Sequence, residues 1–83
     1  MTQSMISTRM DNVEVGSLIR WNGRTNPQVV TEVTESWFEV KSHSNSRYRF
    51  YPHNQHLINQ QNDTQYDVDE FEIIGEVYDV DVW

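Results

Sequence analysis

The sequence predicts an all-β fold, a small barrel or strongly curled sheet of five or six antiparallel strands. Three observations carry this. Short runs rich in β-branched and aromatic residues alternate in polarity with a period of two, most clearly between Gly16 and Tyr51. Chain breakers separate these runs: Asn22-Gly23, Asn26-Pro27, Glu35-Ser36, His43-Ser44-Asn45 and Pro52. Finally, residues 37–51 suit one particular hairpin register. With Ser42 opposite Ser46, Val40 faces Tyr48 and Phe38 faces Phe50 on an apolar row. Glu39 then faces Arg49, and Trp37 faces Tyr51, on the other row. A slip of one residue would turn the apolar row into water.

Taken in order, residues 1–12 show no period and little bulk, and read as a flexible arm. Met10 stands as an alternative start. Residues 13–83 read as one small β domain. Ser17 to Asn22 form the first strand, with Ile19 and Trp21 on one face and Leu18 and Arg20 on the other. The turn after it should project Arg24, Thr25 and Asn26. Gln28 to Glu35 form the second strand, with Val29, Thr31 and Val33 on one face and Val30 and Glu32 on the other. Trp37 to Ser42 and Ser46 to Tyr51 are the third and fourth. Residues 53–66 are rich in Asn and Gln and read as a polar loop with one helical turn near Asn54 to Asn59, pinned by Leu57 and Ile58. Val68 to Trp83 read as one bent strand or two short ones, with Gly75 at the bend. The expected inner face comprises Ile19, Trp21, Val29, Val33, Phe38, Val40, Tyr48, Phe50, Phe71 and Ile73.

The stretch Val15-Gly16-Ser17-Leu18-Ile19-Arg20-Trp21-Asn22-Gly23, followed by Val29-Val30-Thr31-Glu32-Val33, resembles the opening of small Src-homology-type (SH3-like) barrels and of KOW-type modules. Gly16 to Phe50 also resembles short uncharacterised haloarchaeal proteins. These share a strand ending in Trp, a Pro-containing turn, a Val-rich strand and a late Arg-Tyr-Arg strand. The resemblance spans about 40 residues and informs fold more than function. It implies a Src-homology-type barrel. Residues 52–83 lie outside it, and His43-Ser44-Asn45-Ser46 replaces the Gly-rich segment of the pattern.

Composition narrows the function. Eighty-three residues without cysteine allow neither a disulfide framework nor a cysteine zinc site. At this size a groove or flat patch is expected rather than a deep catalytic cleft. The net charge is −7, and five of the six basic residues are Arg, a bias associated with halophilic proteins. The charge is segregated: residues 1–49 carry +1 and residues 50–83 carry −8. No apolar run approaches bilayer length and the N-terminus does not read as a secretory signal, so the expected location is cytoplasmic, with no membrane partner.

The candidate binding surface consists of Arg20, Arg24, Trp37, Lys41, Arg47, Arg49 and Tyr51. Guanidinium groups beside exposed rings suit a protein partner, or single-stranded nucleic acid as the alternative. Set against this, Glu32, Glu35 and Glu39 lie among them and can neutralise the charge. Self-association is a further option, with the acidic C-terminal half of one copy meeting the basic hairpin of another. His43, His53, His56 and Asp63 are too few and too scattered for a metal site and read as polar loop residues. Asp63, Asp67, Asp69, Glu70, Glu72, Glu76, Asp79 and Asp81 match no calcium loop and read as a solvated face. No phosphate-cradling glycine loop or nucleophile elbow is present. The sequence therefore predicts a non-catalytic interaction module with no catalytic residues, no cofactor and no metal.

Overall fold

The computed structural model describes residues 13–22 and 26–83, except the side chain of Val82. The arm expected over 1–12 and the projecting Arg24 and Thr25 lie outside the described residues. The fold is all-β. Seven strands run β1 Ser17–Trp21, β2 Gln28–Val33, β3 Phe38–Lys41, β4 Arg47–Tyr51, β5 His56–Asn59, β6 Gln65–Asp67 and β7 Phe71–Glu76, followed by a 3-10 turn at Val80–Val82. They form one antiparallel sheet in the order β6-β5-β4-β3-β2-β1-β7. The first six strands are a meander. The seventh returns to pair with the first, so the two edge strands are neighbours in the chain.

The expected hairpin register is present: Phe38 pairs with Phe50, Glu39 with Arg49 and Val40 with Tyr48. Its turn closes through Ser42 N–H to Ser46 O at 2.9 Å, with Asn45 at a φ of 70°. The preceding turn is tied by Thr34, whose Oγ1 accepts the N–H groups of Ser36 (3.2 Å) and Trp37 (3.1 Å). Trp37 lies just outside the ladder, because β3 begins at Phe38.

The core is an aromatic cluster. Trp21, Phe38, Phe50 and Phe71 have mutual centroid distances of 5.1 to 5.9 Å. Ile19, Val30, Val40, Leu57, Val68 and Val13 surround them, with Tyr48 and Ile73 packed at the margin. Tilted and edge-to-face pairs dominate, an arrangement worth about 0.5–1.5 kcal/mol per pair beyond area burial.

Four expectations need correction. First, the strand count is seven rather than five or six, because the expected polar loop contains the β5–β6 hairpin. Leu57 is buried there. Asn59, also buried, closes the turn by accepting Gln61 N–H (2.7 Å) and Asn62 N–H (3.3 Å) on Oδ1.

Second, the face of β2 is misassigned. Val30 pairs with Val40 but Glu32 pairs with Glu39, which makes Thr31 an extra, bulged residue that breaks the alternation. Val30 joins the core, whereas Val33 remains 38% exposed. Val29 is fully buried, but outside the core cluster, level with Leu18 and Lys41 on the outer face.

Third, the C-terminal segment is a strand only to Glu76. A second bulge leaves Ile74 without a partner in the β1–β7 ladder, opposite the step from Leu18 to Ile19. Beyond Val77 the chain turns onto β2, with Asp79 Oδ1 accepting Asp81 N–H at 3.0 Å. Lys41 Nζ donates to Val80 O at 3.2 Å, and Trp83 stacks on His43 at 3.9 Å between centroids.

Fourth, the sheet is open. The end of β1 is clasped to the connection between β6 and β7 by Asn22. Its Oδ1 accepts Asp69 N–H (2.9 Å) and Glu70 N–H (3.2 Å), and its Nδ2 donates to Asp67 O at 3.3 Å.

Gly16 begins this arrangement. Its φ is +100°, and a Cβ there would lie 2.8 Å from Val77 O. Its N–H donates to Val30 O and its carbonyl accepts from Val77 N–H, so one residue joins β2 to the end of β7. A side chain is excluded twice over, by backbone conformation and by space.

Candidate functional site

The candidate surface lies on the outer face of the sheet, and the ladder sets its rows. Arg49 stands level with Glu39 and Ile58, while Arg47 stands level with Lys41, Val29 and Leu18. Glu39 lies between the two arginines: Arg49 Nε donates to Oε1 at 3.2 Å and Arg47 Nη1 to Oε2 at 3.3 Å. The glutamate side chain is only 13% exposed, against 47% for Arg47 and 36% for Arg49. Its neighbour across the β2–β3 ladder is Glu32, so the two guanidinium groups also relieve a like-charge pair.

Arg49 lies over the ring of half-buried Trp37, with its guanidinium carbon 4.2 Å from the centroid. The hydrogen bond to Glu39, and after it the neighbouring Tyr51, raise the Arg49 guanidinium above its ordinary value. Arg47 and Arg49 thus meet at Glu39, with Trp37 under Arg49 and Tyr51 two residues further along β4.

The other three expected residues are not part of this group. Lys41 is turned to the C-terminal turn and held by the Val80 carbonyl. Arg20 is on β1, three strands from β4 or about 14 Å at ordinary strand spacing. Its Nε donates to Glu72 Oε1 at 3.0 Å across the β1–β7 ladder. Arg24 lies outside the described residues. The histidines do not converge. His43 stacks on Trp83, His56 Nε2 lies 3.4 Å from Asp67 Oδ1, and His53 is exposed. Among the described residues, no group of three His, Cys, Asp or Glu side chains is placed to hold a metal.

The sequence reading missed a second feature, a recess at the mouth of the curled sheet. It holds about 220 Å³ and is lined by Trp21, Asn22, Asn26, Gln28, Tyr48, Leu57, Tyr66, Asp67 and Val68. Trp21 Nε1 donates to Gln28 Oε1 at 2.7 Å, and Tyr48 meets Tyr66 edge to face at 6.3 Å. A second hollow of about 350 Å³ adjoins it, sharing Asn26, Gln28 and Tyr48 and reaching His43. The lining of the first recess comes from five separate chain segments, so no local pattern marks it.

No helix among the described residues is long and apolar enough to cross a membrane. In comparisons with family models, curated proteins and solved structures, the chain finds no match.

Proposed function

We propose that this is a non-catalytic interaction module, built on a curled antiparallel sheet, that presents the outer face of its 37–51 hairpin to a protein partner in the cytoplasm of a salt-adapted cell. One observation carries the reading: Arg49 is laid over Trp37 and hydrogen-bonded to Glu39, with Tyr51 two residues further along the same strand. A Trp–Arg pair fixed before binding and still open to solvent belongs to the composition that dominates the energetics of protein interfaces. Preorganisation lowers the ordering cost of association.

Nucleic acid is the weaker alternative at this surface. Glu39 occupies both Arg47 and Arg49, Lys41 is committed to Val80, and Arg20 to Glu72. A phosphate backbone would have to displace these partners on a chain of net charge −7.

A photoreactive residue in place of Tyr51, with cross-linking in extract of the source cell, tests the proposal. A single cross-linked protein should be lost when Trp37→Ala or Arg49→Ala is combined with the probe. A partner that survives both substitutions would show that the hairpin is not the docking face. Quenching of Trp fluorescence by a short single-stranded oligonucleotide at working salt, abolished by Arg49→Ala, would favour nucleic acid instead.

A further inference from the structure

We propose that the outer face at the turn end of the 37–51 hairpin is a seat for an acidic peptide segment, occupied in this chain by its own residues 79–83. This deepens the reading of that hairpin and rests on it for the existence of a protein partner.

The seat is apolar surface that the ladder places away from the core. Val29 shares the outer row with Leu18 and Lys41, yet it is fully buried. A residue on the outer face of a sheet is buried only where something lies over it. Here the 3-10 turn Val80–Val82 packs against β2. The chain reaches that turn through Tyr78 and Asp79, both exposed. Residues 79–83 therefore lie on the sheet as a strap, outside the ladder.

Two of the strap's holds are incomplete. Lys41 Nζ donates to Val80 O at 3.2 Å, a neutral acceptor, whereas each described arginine holds a carboxylate. A carboxylate in place of that carbonyl would add charge pairing to the hydrogen bond. Trp83 stacks on the exposed His43 at 3.9 Å between centroids, but its Nε1 is buried and has no hydrogen-bond partner among the described residues. A buried donor without an acceptor keeps its full desolvation penalty. A strap held in this way is displaceable, and a segment that brings a carboxylate to Lys41 is favoured over it.

Charge points to the same occupant. Residues 37–51 carry Lys41, Arg47 and Arg49 against Glu39, a net of +2, and residues 77–83 carry Asp79 and Asp81, a net of −2. Arg47 stands level with Lys41 on the next strand, so positive charge continues along the row. The matching partner is an extended segment in which acidic and aliphatic residues alternate, with one aromatic ring to stack on His43.

The probe is a capped peptide with the sequence of residues 77–83, beside an analogue with Asn for both Asp. Each is titrated by heteronuclear NMR into the full isotope-labelled chain at low ionic strength, as wild type and as Trp83→Ala. In Trp83→Ala the seat is open, and the peptide should shift the Lys41 and His43 amides to saturation. The wild type should bind about tenfold more weakly or worse, because its own strap competes at a high effective concentration. The Asn analogue should bind about threefold more weakly than the peptide. Adding His43→Ala to the open chain should weaken the peptide about fivefold.

If Trp83→Ala fails to fold, the wild type decides alone. Excess unlabelled peptide should then move the Trp83 indole resonance to its position in an unfolded chain while the ladder amides stay fixed. No saturable shift at Lys41 and His43, equal binding by wild type and Trp83→Ala, or equal binding of the Asn analogue would each overturn the proposal. So would a concentration-dependent mass in light scattering that Trp83→Ala abolishes, since the occupant would then be the strap of a second copy.

Trp37→Ala should leave peptide binding within about twofold, because the Trp37–Arg49 pair lies outside the seat. Failure of the peptide to bind overturns the seat and leaves the Tyr51 cross-link standing. A cross-link that survives Trp37→Ala overturns the hairpin reading and leaves the peptide result standing.

Discussion

The side-chain carbonyl of Asn22 accepts the backbone N–H of Asp69 at 2.9 Å, and this contact fastens the end of β1 to the segment joining the two edge strands. The same oxygen takes Glu70 N–H, while the amide nitrogen reaches Asp67 O. One side chain thus serves two donors and one acceptor of a connection that the ladder leaves unpaired. Asn22 also has a φ of 49°, a conformation asparagine tolerates better than most residues.

Replacing Asn22 with Gly keeps the backbone freedom and removes only the clasp. Asn22→Gly should destabilise the protein by about 1–2 kcal/mol in urea unfolding. Amide exchange should accelerate first at Asp69 and Glu70. An unchanged midpoint would show that water replaces the clasp at no cost.

At Gly16 the expected effect is larger. Gly16→Ala places a methyl group 2.8 Å from Val77 O on a backbone at φ +100°. The cost should be about 2–3 kcal/mol, read as a fall in thermal midpoint. Gly75 has ordinary clearance, with Leu18 Cδ1 3.7 Å from the position of an added Cβ, so Gly75→Ala should be far milder.

The bulge at Thr31 makes two neighbouring valines behave differently from a third. Val30→Ala removes a fully buried core side chain and should cost about 2 kcal/mol. Val33→Ala, at a position 38% exposed, should stay within about 0.5 kcal/mol. Chemical denaturation of the pair distinguishes the observed face of β2 from strict alternation.

Glu39→Gln releases Arg47 and Arg49 together. Stability should change by less than about 1 kcal/mol, because both arginines are solvent-facing. Affinity for an immobilised polyanion such as heparin should rise, read as later elution in a salt gradient. The Arg49 guanidinium, raised by Glu39 first and Tyr51 second, contributes below its unfolded value and loses that contribution only above its folded one. The Trp37 indole resonance should therefore stay constant from about pH 7 to about pH 10 as far as Arg49 ionisation is concerned.

The 37–51 hairpin was legible because its two faces differ in kind. Phe38, Val40, Tyr48 and Phe50 form one row, Glu39 and Arg49 the other, and only one register keeps both satisfied. Strand β6 offered no such contrast, since Gln65, Tyr66 and Asp67 are all exposed. Strand β5 has only Leu57 and Ile58 as aliphatic residues within an Asn- and Gln-rich stretch. On β2, an unbroken period of two could not anticipate the bulge at Thr31, which is set by pairing to β3. Alternation in the last residues suggested a further strand, but Asp79 caps a 3-10 turn instead.

The binding surface was partly legible for the same reason. Residues on one hairpin stay together when its register is right, so Trp37, Arg47, Arg49 and Tyr51 form a group. Arg20 and Lys41 were assigned by charge alone, and each has a partner across the fold, Glu72 and Val80. The recess is assembled from β1, the start of β2, β4, β5 and β6. Only tertiary structure brings those side chains together.

Pairing of Ser17 with Glu76 has a consequence for how the protein is made. During synthesis, the meander from Ser17 to Asp67 leaves the ribosome before the strand that will lie beside its first member. Until β7 emerges, the nascent chain presents β1 as an uncovered template able to recruit a strand from another polypeptide. Addition of the final strand covers β1 and leaves β7, bulged at Ile74, as the edge in its place.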